Sequence, residues 1–264
     1  MITIKNEKQI VLMRQGGKIL GQIFKKIILE VKPGETTGHL EEMALFLIKQ
    51  AGGYPSFKGY QTKEDKLAFP TALCISINHE VVHAPSLPAR KLVEGDIVGI
   101  DLGIKYPFKT GIDGYYTDMA ATIAVGQISQ AAQKLIWTAN ESLKLAIEQI
   151  RPGSSLNNIG KTIEQFVNEQ GFSIVKELVG HGVGQLVHEE PQIPNYHVTG
   201  NEKIILKPGM TLAIEPMINL GDWRVKLAAD GFTIVTADGS LSAHFEHTVL
   251  VTETGYEILT QFEN

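Results

Sequence analysis

The sequence predicts an α+β domain made of two related halves, roughly residues 1–126 and 127–264, and three paired observations carry that prediction. Val31-Lys32-Pro33-Gly34 precedes a helical stretch closing at Gly52, and Ile150-Arg151-Pro152-Gly153 precedes one closing at Gly171. The interval from Pro to terminal Gly is 19 residues in both (52 − 33 and 171 − 152). Gly95-Asp96-Ile97-Val98-Gly99-Ile100-Asp101 matches Gly209-Met210-Thr211-Leu212-Ala213-Ile214-Glu215, each a glycine, five mostly apolar residues and a carboxylate. Val82-His83-Ala84-Pro85 is echoed by Val187-His188-Glu189-Glu190-Pro191. Pro-Gly after a helix is common punctuation, but three echoes in one order point to duplication, with histidines and carboxylates converging on a shared axis.

The elements follow in order. Asn6 with Gln9 three residues on reads as a helix start, and apolar periodicity continues to about Val31, where Pro33-Gly34 breaks it. A second helix runs from about Gly38 to Ala51 and stops at Gly52-Gly53. Ala72 to Val82 reads as a strand, with Leu73, Ile75 and Ile77 alternating against Cys74, Ser76 and Asn78. Two further strands cover Asp96–Ile104 and Tyr115–Val125. Ser129 opens a long helix ending before Pro152-Gly153, and another helix closes at Gly171. Short strand-like runs and loops follow, with a final strand near Ser242 to Val251.

Composition narrows the function classes. A chain of 264 residues with 43% hydrophobic and 20% charged residues is an ordinary globular balance, long enough for one large domain or two small ones. The net charge, 24 − 29 = −5, offers no basic patch that argues for nucleic acid. No apolar run is long enough to span a bilayer, and Met1 to Gln15 lacks a signal-peptide pattern. Cys74 is the sole cysteine, so no intrachain disulfide forms, and a cytoplasmic location is expected.

The chemistry sits in acids on apolar strands. Asp101 follows Ile97-Val98-Gly99-Ile100, and Glu215 follows Leu212-Ala213-Ile214. Asp118 lies within Tyr115-Tyr116-Thr117-Asp118-Met119-Ala120-Ala121, and Glu246 sits between Phe245 and an apolar run. A buried, unpaired acid costs several kcal/mol. Any one of these could meet a Lys or Arg instead. Four of them, with the glycine-flanked His181 of Gly180-His181-Gly182-Val183-Gly184, call for cations. Two divalent ions balance four carboxylates and a neutral imidazole. Mostly oxygen ligands with one imidazole suit Mn, Fe(II) or Co better than a structural zinc site. Paired ions bridged by carboxylates acidify a water toward hydroxide, a nucleophile that needs no Ser or Cys.

His79-Glu80-Val81-Val82-His83 fits the H-E-x-x-H pattern of zinc proteases. That pattern works on a helix, where the two histidines share a face. Here it continues a strand and runs into Pro85 and Pro88, so the match is read as accidental. Cys74, among apolar neighbours, is read as a packing or pocket residue, and Phe69 and Phe232 are individually read as core.

These residues resemble the methionine aminopeptidases, specifically the compact bacterial type I form, over essentially the whole chain. The resemblance rests on Asn78-His79-Glu80-Val81-Val82-His83, Ile100-Asp101-Leu102-Gly103, Tyr116-Thr117-Asp118, Gly180-His181-Gly182-Val183-Gly184, Val187-His188-Glu189-Glu190-Pro191, Ile214-Glu215-Pro216-Met217 and Leu241-Ser242-Ala243-His244-Phe245-Glu246-His247-Thr248. It implies the pita-bread (creatinase/aminopeptidase) fold, with two pseudo-twofold-related halves and a central antiparallel sheet covered by helices, as a single catalytic domain over 1–264.

The resemblance also implies roles. Asp101, Asp118, His181, Glu215 and Glu246 bind two divalent metal ions (Co, Mn, Fe(II) or Zn), with Asp118 and Glu246 bridging. His181 and Glu215 complete one ion and Asp101 the other. His83 contacts the scissile amide, His188 bonds the substrate carbonyl, and Glu215 shuttles a proton. Cys74, Phe69 and Phe232 line the methionine pocket. The implied substrates are nascent or short peptides with N-terminal Met and a small second residue, handled by a monomer that binds no nucleic acid or membrane, with association at the ribosome left open. Prolidase, aminopeptidase P, or a non-catalytic binding protein of the same fold are the alternatives. The sequence departs from the family in four places: Ala84-Pro85-Ser86 after His83, Phe232 where many members have Trp, Val187 where an aromatic is common, and sixteen residues between Asp101 and Asp118, with Tyr106-Pro107-Phe108-Lys109 extending a turn.

Overall fold

The computed structural model describes residues 2–63 and 66–261. Helix α1 (Glu7–Ile28) opens on a reciprocal cap: the Asn6 side chain accepts from the Gln9 N–H, and the Gln9 side chain accepts from the Asn6 N–H. The helix ends three residues before Val31, because Glu30 and Val31 turn back to the carbonyls of Ile27 and Ile28. Helix α2 (Thr37–Gln50) is capped by the Thr36 hydroxyl. Strands β1 (Tyr54–Pro55), β2 (Leu73–Ile77), β3 (Glu80–Val82), β4 (Ile97–Tyr106) and β5 (Tyr115–Ala124) follow. Helix α3 (Gln130–Ile147) starts on the Ser129 cap, and α4 (Asn157–Gln170) ends at Gly171, whose φ of 82° suits a residue without a Cβ. The strands β6 (Ser173–Ile174), β7 (Gly180–Gly182), β8 (Glu189–Ile193), β9 (Thr211–Ile214), β10 (Met217–Asn219), β11 (Val225–Leu227), β12 (Ile234–Thr236), β13 (Ser242–His244), β14 (Glu246–Val251) and β15 (Tyr256–Ile258) complete the chain.

Nine strands form one antiparallel sheet, ordered β1-β4-β5-β14-β9-β7-β8, with β2 also beside β4 and β15 beside β14. Two three-stranded sheets, β13-β10-β6 and β11-β12-β3, adjoin it. The helices cover one face of the large sheet in two blocks. Leu20, Phe24, Leu40 and Ile48 of α1 and α2 pack on Ile75, Ile100, Leu102 and Met119. Leu135, Leu143, Ile159 and Ile163 of α3 and α4 pack on Leu212, Ile214 and Val249. Strand residues alternate between faces, so Asp101, Asp118 and Ala213 look away from the helices.

Two expected strands are each divided. Ala72–Val82 becomes β2 and β3, joined by a turn at Asn78-His79 in which Asn78 adopts a φ of 58°. Ser242–Val251 becomes β13 and β14, which join different sheets and part at Phe245. Its neighbour breaks at the same level, between β9 and β10, where Pro216 has no N–H to give to the ladder. The ladder is bridged there by a single long bond, Phe245 N to Pro216 O at 3.4 Å.

Candidate metal centre

Strand register puts the predicted ligands on one face. Asp101 of β4 and Glu246 of β14 both lie opposite Ala120 of β5, one from each side, and Asp118 is two residues from Ala120 on the same strand. Directly opposed residues share a face, as do residues two apart. On the other side of β14, His247 pairs with Ile214, so the same register sets Glu215 level with Glu246. His181 of β7 lies opposite Ala213, two residues from Glu215. Five predicted ligands thus converge, four from strands and Glu215 from just past the end of β9, two of them placed at the break between the large sheet and its neighbour.

Ligand atoms of Asp118, His181 and Glu246 lie within 4.8 Å of one another, a spacing suited to a metal ion. His181 Nε2 is 3.3 Å from Glu215 Oε1. His181 Nδ1 lies 2.9 Å from the Gly182 carbonyl, which only accepts, so Nδ1 carries the proton and Nε2 presents its lone pair to the acids. Asp101 Oδ1 and Glu246 Oε1 are fully covered and have no hydrogen-bond partner. Orphaned carboxylate oxygens aimed at a shared space fit a cation and little else.

Electrostatics agree. Burial first, and the Asp118 charge second, hold the carboxyls of Asp101, Glu215 and Glu246 well above the usual carboxylate range. Burial also raises Asp118 to about 7. The His181 imidazole is lowered to about 3 by burial and then by the facing His188, so it is neutral. Acids held proton-bound by burial, and secondarily by a neighbouring charge, are poised to exchange protons for cations.

All ten predicted site residues line one cavity of about 1140 Å³: Phe69, Cys74, His83, Asp101, Asp118, His181, His188, Glu215, Phe232 and Glu246. His188 follows the β7–β8 turn, and the pairing of Gly182 with Glu189 swings its ring against His181, with centroids 4.5 Å apart at 82°. His83 is exposed and sits at a φ of 59°, a strained setting for a non-glycine residue. Phe69 packs edge-on to Phe232 at 5.7 Å and to Phe57 at 6.5 Å, a continuous aromatic wall. Phe69 and Phe232 are therefore wall residues rather than core. Cys74 lies opposite Asp101, and burial raises its thiol pKa, so it is no nucleophile. Glu80 of the H-E-x-x-H match turns away: it binds Arg90 at 2.6 Å and the Ile77 N–H at 2.7 Å.

Several residues were not singled out from sequence. Tyr60 OH lies 2.8 Å from His188 Nδ1. The Thr248 hydroxyl donates to the Asp118 carbonyl and accepts from the Asp118 N–H, both at 2.8 Å, pinning a ligand strand. Asn195 Nδ2 donates to the Glu215 carbonyl at 3.1 Å. His244, buried and lowered to about 3 by burial, stands 3.7 Å from Glu215. Its position two residues before Glu246 on an alternating run was a usable signal; Tyr60 and Asn195 gave none.

Comparison with known proteins meets this geometry. The model of metallopeptidase family M24 matches residues 11–253. A relative from Bacillus subtilis, methionine aminopeptidase 1, is 44% identical over 99% of this chain and 100% of its own length. A methionine aminopeptidase structure from Thermotoga maritima superposes with a TM-score of 0.91 at 41% identity, covering 99% of this chain and 100% of that one. A prolidase structure from Pyrococcus horikoshii gives a TM-score of 0.75 at 23% identity, and this chain covers 64% of it, a likeness of fold alone. The chain therefore belongs to metallopeptidase family M24, on the bacterial methionine aminopeptidase branch. It has the pita-bread fold of that family and is a metal-dependent aminopeptidase. Among the described residues, no helix is long and apolar enough to cross a membrane.

Proposed function

We propose that this chain removes the N-terminal methionine of peptides whose second residue is small, using two divalent ions held by Asp101, Asp118, His181, Glu215 and Glu246. The observation that carries the reading is the convergence of these five side chains, two of them with orphaned carboxylate oxygens, on a cavity that Phe69 and Phe232 also line. Asp118 and Glu246, on the adjacent strands β5 and β14, would be shared by both ions, with His181 and Glu215 completing the set for one and Asp101 for the other. When bound, the ions polarise the scissile carbonyl and bring a water to hydroxide near neutral pH. We favour Mn, Fe(II) or Co over Zn on the donor set.

The side chains supply the rest. Phe69, Phe232 and Cys74 hold the methionine side chain. Glu215 Oε takes the proton of the attacking water and passes it to the departing amine. His83 contacts the scissile amide on the leaving side. His188 steadies the carbonyl oxygen as negative charge grows there. The His188 tautomer with its proton on Nε2, the nitrogen that must donate, leaves Nδ1 to accept from the Tyr60 hydroxyl 2.8 Å away. The site serves a single domain of two halves, 1–126 and 127–264. Support for that comes from α2 and α4, each 14 residues long, each preceded by a Gly of positive φ, Gly34 at 94° and Gly153 at 84°.

The test is turnover of Met-Ala-Ser against Gly-Pro and Ala-Pro peptides with Mn, Fe(II) or Co added. Release of methionine alone supports the reading. Cleavage only before proline would overturn it in favour of a prolidase-like enzyme.

A further inference from the structure

We propose that Leu67, Leu186 and Leu227 form an apolar collar at the cavity mouth that binds apolar side chains of the peptide downstream of the cleaved bond; this rests on the methionine-removal reading above. The three leucines are 61%, 63% and 59% exposed. Single exposed apolar residues are ordinary, but these three line the same cavity as the metal ligands. They come from separate elements: Leu67 from the segment between β1 and β2, Leu186 from the β7–β8 turn, and Leu227 from the end of β11.

Two of them are held in place. The Leu186 N–H donates to Glu189 Oε1 at 3.0 Å, which fixes the turn tip two residues before His188. Leu227 pairs across the ladder with Ile234, two residues past Phe232. The collar is thus continuous, through its own backbone, with the histidine that meets the substrate carbonyl and with the wall of the methionine pocket. A turn tip ordinarily favours Gly, Asn, Asp or Ser, and leucine at this tip instead adds apolar surface to the mouth. An extended peptide advances about 3.3 Å per residue and alternates its side chains. With methionine in the pocket and the scissile bond at the acids, the next residue is still deep. The third and later residues then emerge past the leucines. The occupant that fits is therefore a nascent-chain-like peptide with Leu, Ile or Phe among its third to fifth residues.

The experiment compares Met-Ala-Ser, Met-Ala-Leu-Leu-Ser and Met-Ala-Asn-Asn-Ser on the Mn-loaded protein, by kcat/KM and by calorimetric affinity. The expected result is a preference of about fivefold to tenfold for the leucine peptide over the asparagine peptide, expressed mainly in KM. Leu67→Ser and Leu227→Ser should each pull that ratio toward one. Equal constants for the two pentapeptides, with methionine still released, overturn the collar and leave the reaction intact. A preserved affinity ratio without turnover supports the collar and overturns the reaction. Equal peptide constants together with dimerisation that Leu227→Ser abolishes would assign the leucines to a contact between copies, which also overturns the proposal.

Discussion

Replacing Lys5 with methionine removes a cation whose side chain is 1% exposed and whose Nζ lies 2.6 Å from Glu189 Oε2. The residue is 184 positions from its partner, yet it ties the amino-terminal segment to the turn that carries His188. Glu189 also accepts from the Thr3 hydroxyl and from the N–H groups of Gln185 and Leu186, so its carboxylate clamps the whole turn. Stranding one member of a buried pair costs about 3–5 kcal/mol. Three donors stay with Glu189 after the substitution, which sets the expected cost at the lower end, about 3 kcal/mol. At about 2–4 °C per kcal/mol for a domain of this size, Tm falls by about 6–12 °C. Calorimetry of the Lys5→Met protein reads that shift, and kcat on Met-Ala-Ser should fall with it because His188 loses its anchored turn. Glu189→Gln in the same chain removes the stranded charge, so the double variant should recover about 1 kcal/mol or more relative to the sum of the single effects. A Tm within about 2 °C of wild type, or strict additivity in the double variant, refutes the reasoning.

Asp118→Asn and Glu246→Gln should each abolish activity and remove at least one metal equivalent, read by elemental analysis; full metal content would deny them the bridging role. His188→Ala should cut turnover by about a hundredfold while leaving metal bound, on the scale of one lost oxyanion donor, and loss of metal would undo its separation from His181. Glu80→Gln should lower Tm through its Arg90 contact but leave activity and metal in place, whereas loss of both would revive the zinc-protease motif. The metal-free protein should lose stability as pH rises from about 6.5 to 8: Asp118 sits at about 7 when folded, so the native state holds more protons than the unfolded chain there, whereas below that window the buried neutral His181 and His244 act in the opposite sense. Mn addition should reverse the trend, and a Tm that climbs with pH across that window in the metal-free form would contradict the assignment.

The clustering of the candidate metal ligands was legible in the sequence because chemistry of that kind is conspicuous on apolar strands. An acid after Ile97-Val98-Gly99-Ile100 has no cheap explanation, and four such acids have one in common. Helix ends were legible for a local reason: the Asn6–Gln9 cap and the Gly171 stop are made by residues within a few positions of one another. What stayed hidden depends on tertiary pairing. No pattern links Lys5 to Glu189 or Tyr60 to His188, since each pair meets only after the sheet is assembled. The division of Ser242–Val251 was hidden too, because its cause lies in the neighbouring strand at Pro216, not in its own sequence.

That break explains why the two glutamates end up beside His181. Were β9 and β14 to continue straight, Glu215 and Glu246 would be two more rungs of a flat ladder. Parting at Pro216 and Phe245 sends β10 and β13 into a second sheet and leaves both carboxylates at the corner, facing the concave side. Small residues then keep the row open. Ala120 lies between Asp101 and Glu246, and Gly103 lies opposite Asp118, where an added Cβ would stand 3.1 Å from Asp118 Oδ1 and 2.9 Å from Ser56 Oγ. The same register that gathers the five candidate ligands thus also spaces them, with side chains too small to fill the volume between the acids. A cation site on a sheet face needs both conditions, converging donors and an unfilled centre. This ladder meets them with residues that look, one at a time, like ordinary strand.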